Sequence, residues 1–125
     1  MANRLLWSDF TIPIRRVQQT QITGRVKVMD VRVRLFGVFR SAAKTSELSL
    51  HVSDGTPTVK TVISQIVSTE SFAALKQLLL DSETSDPRPN ALIMVSGREI
   101  GALNGLETKL TEDDELSLLP VSHGG

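Results

Sequence analysis

The sequence predicts an α+β domain, a mixed sheet with one main helix packed on one face and a short second helix. Three observations predict it. Apolar and polar residues alternate with period two near residues 31–36 and 47–52, the pattern of half-buried strands. Val59, Val62, Ile63, Ile66 and Val67 recur at helical spacing. Two later apolar runs, at 91–95 and 115–119, end on Gly97 and Pro120. One helix among several strands is an α+β order rather than a regular βαβ alternation.

Each element follows in turn. Val31, Val33 and Leu35 share one face of a first strand, which Phe36–Phe39 extends or bends at Gly37. Residues 40–46 are small and polar and read as a loop. Leu48, Leu50 and Val52 face inward on a second strand, giving a hairpin. Asp54-Gly55 signals a turn. Thr56 takes the N-cap position before Pro57, which suits a first helical turn. The helix is rich in β-branched residues, so packing must support it. Ser71 is the expected cap of a shorter helix with Phe72, Leu75, Leu78 and Leu79 apolar. Residues 81–89 hold Pro87 and Pro89 and read as a loop. The run Ala91–Val95 suits an interior strand buried on both faces. Ser96-Gly97 turns the chain into a short return, Thr111–Asp114 is an acidic turn, and Glu115–Leu119 is the last strand. The first and last strands are expected as parallel central neighbours.

Composition narrows the function classes. The 125 residues suit one domain, or one domain and a tail. Fourteen basic and fourteen acidic residues cancel, which argues against a chain built to coat nucleic acid. The zero hides an asymmetry. Residues 1–29 carry five basic groups and one acid, whereas residues 30–125 carry nine and thirteen. Hydrophobic residues make up 40% and aromatics 4%, so the core must be aliphatic. The absence of cysteine excludes disulfides, thiolate metal sites and a Cys nucleophile. No apolar run approaches the roughly 20 residues of a membrane helix, and no apolar stretch near the start reads as a secretory signal. A cytoplasmic, monomeric protein is the expectation, with no membrane or nucleic-acid partner.

The organisation expected is a basic extension over residues 1–30, a domain over 31–119 and a flexible tail over 120–125. Three readings of the extension stay open: a disordered or loosely docked arm, a segment upstream of a compact unit starting near Met29, or a contact surface for an acidic partner. Its apolar residues, Leu5, Leu6, Trp7, Phe10, Ile12 and Ile14, are also compatible with an extra strand.

No catalytic constellation emerges. His51 and His123 are isolated, so no metal site is expected. His123 reads as a solvated tail residue and His51 as a strand-surface one. The serines lack a paired base or a Gly-x-Ser-x-Gly setting, and no Gly-rich phosphate loop is present. Asp113, Asp114 and Glu115 read as an acidic turn.

The informative feature is Gly124-Gly125 after a strand and a proline. Glycine lacks the Cβ that restricts the backbone, so such an end threads a narrow channel and leaves its carbonyl open to attack. The surrounding segments give it context. Val33–Arg40 with Ala42-Ala43, Thr56–Ile63, and Ala91–Ile100 through Leu110-Thr-Glu-Asp-Asp-Glu-Leu-Ser-Leu-Leu-Pro120 to Gly125 resemble the β-grasp ubiquitin-like and sulfur-carrier family. Its relatives include MoaD, ThiS and the small archaeal modifier proteins. The resemblance covers about residues 31–125. Ser96-Gly97 stands where the family often has Asn-Gly. The 70–90 and 101–108 regions look longer than in the smallest members, and His123 stands where ubiquitin has Arg.

The resemblance implies a substrate and carrier rather than a catalyst. A ubiquitin-activating-like adenylyltransferase, using ATP and Mg²⁺, would adenylate the Gly125 carboxylate. A thiocarboxylate or an isopeptide bond to a target lysine would follow. Gly124, His123, Ser122 and Val121 would enter the partner's active site. Phe36, Phe39, Leu119 and Pro120 would dock it, although ordinary core is the favoured reading of both phenylalanines. The alternatives are a dedicated small subunit of molybdopterin synthase, bound to its large subunit, and a non-covalent β-grasp binding module. Lys44, Lys60, Lys76 and Lys109 are candidate acceptors.

Overall fold

A computed structural model describes residues 28–53 and 55–121. The expectations for residues 1–27, for Asp54 and for Ser122, His123, Gly124 and Gly125 lie outside the described residues.

The chain runs β1 (Met29–Leu35), α1 (Gly37–Ala43), β2 (Glu47–Val52), α2 (Val59–Val67), α3 (Ala73–Leu79), β3 (Ala91–Val95), β4 (Arg98–Glu99) and β5 (Glu115–Pro120). Short 3₁₀ turns occupy Glu70–Phe72, Ile100–Ala102 and Gly105–Glu107. The sheet order is β2-β1-β5-β3-β4. β1 and β5 are parallel central neighbours, with Arg32 opposite Glu115 and Leu35 opposite Leu118. A parallel pair needs a crossover, and the connection carrying α2 and α3 supplies it. β2 is antiparallel to β1, and β3 antiparallel to β5.

Period two decides what each strand buries. Met29, Val31, Val33 and Leu35 of β1 face the core while Asp30, Arg32 and Arg34 face out. They join Leu116 and Leu118 of β5, Ala91, Ile93 and Val95 of β3, and the helical stripe Val59, Val62, Ile63 and Ile66 in one cluster. Burying a Val, Leu or Ile side chain contributes about 1.5–3 kcal/mol.

Four local expectations are corrected. The β1–β2 connection is not a hairpin loop, because residues 37–43 form α1, which buries Phe39 and ends at Lys44 in the left-handed region (φ 62°). α2 starts two residues later than expected. Thr58, not Thr56, is its N-cap and accepts from the Thr61 amide at 3.2 Å. Pro57 remains in the loop, where its carbonyl accepts from the Leu110 amide at 2.9 Å. Ser71 caps nothing; a 3₁₀ turn leads into α3, which buries Leu75 and Leu79 and leaves Leu78 43% exposed. β3 is buried on one face only. Leu92 is 40% exposed and Met94 half-buried.

Gly37 fixes where α1 meets the end of β5. Its φ is +55°, and a Cβ there would lie 2.8 Å from Pro120 Cγ. A side chain would meet both the left-handed penalty and a clash with a proline ring. Gly37→Ala is expected to cost about 1–3 kcal/mol in chemical denaturation; an unchanged midpoint would contradict this packing.

Candidate functional site at the root of the carboxyl-terminal tail

β5 is the central strand that carries the tail. Its last residue, Pro120, stands opposite Ala91, and the Val121 amide donates to the Asn90 carbonyl at 3.1 Å. Asn90 is itself held. Its amide donates to the Pro87 carbonyl at 3.0 Å and its Nδ2 to the Leu79 carbonyl at 3.3 Å. Gly37 closes the other side of Pro120. The root is therefore fixed up to Val121, which is 41% exposed.

The outer sheet face beside this root is apolar. Leu92 stands opposite Leu119. Phe36 continues the β1–β5 register alongside Leu119, its amide donating to the Leu118 carbonyl at 3.2 Å. Phe36, Leu119 and Leu92 thus make a row across three adjacent strands. The next row is Arg34, Ser117 and Met94, and the Arg34 guanidinium lies 5.4 Å from the Phe36 ring centroid. Below it Arg32 pairs with Glu115 at 3.7 Å.

The structure separates the four expected docking residues. Phe36, Leu119 and Pro120 lie at the tail root and remain accessible. Phe39 does not: it is 1% exposed, pointing from α1 into the core. Its expected docking role is corrected to a packing role. Leu92, Met94 and Arg34 were missed. The signal for the first two was an apolar run too continuous for a strand with one wet face.

The acidic turn has a structural explanation. Asp114 Oδ2 accepts from the Thr111 amide at 2.9 Å, and Ser96 Oγ donates to Asp114 Oδ1 at 2.9 Å. Ser96 Oγ in turn accepts from the Glu115 amide at 3.2 Å. Ser96 and Gly97 both have positive φ, 48° and 87°, as a two-residue turn with the twist of its strands requires. Asp114 therefore ties the start of β5 to the β3–β4 turn. Burial pushes its carboxyl up, but the hydrogen bonds from Thr111 and Ser96 outweigh that and hold it below the ordinary 3.8. A depressed folded pKa gives stability that is present above the unfolded pKa and lost as pH falls through the folded one. Asp114→Asn is expected to be less stable than the parent at pH 7, with the gap closing only below about pH 4. A gap independent of pH in denaturant titrations would contradict this role.

Other candidates find ordinary partners. His51 Nδ1 is hydrogen-bonded to Asp30 Oδ1 across β1 and β2 on the exposed face. Lys44, Lys60, Lys76 and Lys109 are all exposed. Among the described residues no group of three or more His, Asp or Glu side chains is placed to hold a metal. Among them, too, no helix is long and apolar enough to cross a membrane.

No protein-family model matches the sequence, and no curated protein matches it either. Solved structures do. The solution structure of small archaeal modifier protein 1 from Methanosarcina acetivorans is 30% identical, with a TM-score of 0.65, covering 78% of this chain and 98% of that one. The chain belongs to the small archaeal modifier family of β-grasp, ubiquitin-like proteins. Two further structures resemble this modifier-family protein. The Haloferax volcanii HVO 2177 protein is 26% identical with a TM-score of 0.65, over 78% of this chain and 88% of its own. Small archaeal modifier protein 1 from Haloferax volcanii, at 21% identity and a TM-score of 0.64 over 77% of this chain and 99% of that one, shares the fold. The family is one of ubiquitin-like modifiers and sulfur carriers.

Proposed function

We propose that this modifier-family protein is a carrier activated at Gly125. A ubiquitin-activating-like enzyme binds ATP and Mg²⁺. The Gly125 carboxylate attacks the α-phosphorus, an acyl-adenylate forms and pyrophosphate leaves. The carboxylate is a poor electrophile; the adenylate gives it a good leaving group. Hydrosulfide then attacks the acyl carbon, displaces AMP and leaves a thiocarboxylate. Alternatively, a deprotonated lysine amine of a target displaces it and forms an isopeptide bond.

The observation that carries this reading is the pinned root. Ladder pairing, the Val121–Asn90 hydrogen bond and the Gly37–Pro120 contact hold β5 to its last residue. Four residues follow Val121, which at about 3.3–3.6 Å per residue give a reach of about 14 Å. A short tether on a rigid root presents one carboxyl group at a defined distance from the domain, as a channel in a partner requires. The row Phe36, Leu119 and Leu92 gives that partner an apolar surface at the tail's base.

The test places carboxylates in the row. With ATP, Mg²⁺ and extract of the native cell, Leu92→Asp/Leu119→Asp is expected to lower Gly125 conversion about tenfold or more, because desolvating a charge at an interface is costly. Both side chains are partly exposed, so folding is expected to survive, which circular dichroism checks. Conversion at the parental rate would sink the docking assignment.

A further inference from the structure

The two edges of the sheet are treated differently. β2 forms one edge. The Leu35 amide donates to the Ser46 carbonyl, so Ser46, Leu48, Leu50 and Val52 bond to β1 and the alternate residues turn their backbone groups outward. Side chains occupy three of the six backbone groups that Glu47, Ser49 and His51 present there. Thr45 Oγ1 donates to the Glu47 carbonyl at 3.1 Å and accepts from its amide at 3.3 Å. Gln65 Nε2 donates to the His51 carbonyl at 3.0 Å. Such devices deter strand addition.

The other edge is left short. The hydrogen bonds from Val121 to Asn90 and from Ser96 to Glu115 fix which residues of β3 bond to β5. Asn90, Leu92, Met94 and Ser96 do; Ala91 and Ile93 turn outward. β4 meets only Met94 and Val95. The backbone of Ala91 therefore lies beyond β4, and that of Ile93 at its end. Beside this stretch is a mainly apolar cleft of about 230 Å³, whose walls include Arg88, Leu92, Ile100, Gly101 and Val121. Arg88 is held at its rim by Asp86, with Nη2 to Oδ2 at 2.6 Å.

We propose that the Ala91–Ile93 edge receives an extended segment of the protein that takes the tail, adding a short strand to β3 and placing one apolar side chain in the cleft. This rests on the carrier reading. Reach ties this edge to Gly125. Whatever acts on Gly125 must come within about 14 Å of Val121, and Val121 lines this cleft. Leu92 belongs both to the cleft and to the apolar row, so edge and outer face form one continuous surface. Main-chain pairing supplies affinity and the cleft supplies side-chain selection.

The test compares the two edges in the native cell, reading the modified fraction of Gly125 by mass spectrometry. Gly101→Phe and, separately, Arg88→Trp fill the cleft. A Cβ at Gly101 comes nearest to the flexible Glu99 carboxylate, 2.6 Å from Oε1. Ser49→Phe places the same bulk on β2. The expected result is a loss of about tenfold or more for each cleft variant, with Ser49→Phe at the parental level and all melting temperatures near the parent's. If one cleft variant fails to fold, the other carries the comparison. Cleft variants modified like the parent overturn the edge proposal and leave the carrier reading standing. Equal losses at both edges also overturn it. A parent with neither sulfur nor an isopeptide bond at Gly125 removes the carrier reading and this proposal with it.

Discussion

Removing Gly124 and Gly125 abolishes both thiocarboxylate formation and conjugation, and shifts the melting temperature by no more than about 2 °C. The two readouts separate because the described core and its ladders end at Val121. The shortened chain ends on His123, about 7 Å short of the parental end. Its terminal residue then carries a Cβ and an imidazole where the parent has neither. A channel that selects a narrow end rejects both changes, and a displaced carboxylate loses the alignment that in-line attack on phosphorus requires. Retained conversion in the deletion variant would sink the carrier mechanism. A lowered melting temperature would show that these residues belong to the fold.

Phe39→Ala is the second large effect, and it acts on stability. The ring is 1% exposed among β-strand and α3 side chains of the core. Its removal is expected to cost about 3–5 kcal/mol through lost transfer energy and an unfilled cavity, lowering the melting temperature by more than about 10 °C. Phe36→Ala provides the contrast. That ring is half-buried on the outer face beneath Arg34, so its loss falls mainly on partner engagement. If Phe39→Ala melted like the parent and lost partner binding instead, the docking role expected from sequence would stand.

These two phenylalanines show where sequence patterning stops. α2 was legible because Val59, Val62, Ile63 and Ile66 repeat over more than two turns. α1 was not: it has seven residues, no side-chain cap and one buried side chain, so no period exists to be read. Phe36 and Phe39, three apart, looked alike until the helix between them turned one into the core. The cap of α2 slipped for a related reason. Threonines flank Pro57, and Pro57 suits a first helical turn, but its carbonyl is committed to Leu110 in the adjoining loop.

The run Ala91–Val95 carries a different lesson. It suggested burial on both faces, yet Leu92 is exposed beside Leu119 and shares a cleft with Val121. Local patterning fails there where a partner is expected, as it tends to at functional surfaces. The Leu110–Glu115 motif was legible as a signature, but its physics was not. Only the structure shows Asp114 reaching Ser96, a residue 18 positions away in sequence. The order of the sheet likewise follows from long-range pairing that periodicity does not encode.

The most direct test of the central claim is mass spectrometry of the intact protein and its C-terminal peptide from the native cell. Trypsin has no site after Lys109, so both the free end and any lysine remnant carry the full stretch Leu110–Gly125. The account predicts sulfur in place of oxygen at Gly125, or that remnant joined to lysines of other proteins. An unmodified Gly125 carboxylate, with no Leu110–Gly125 remnant on any lysine, would contradict it.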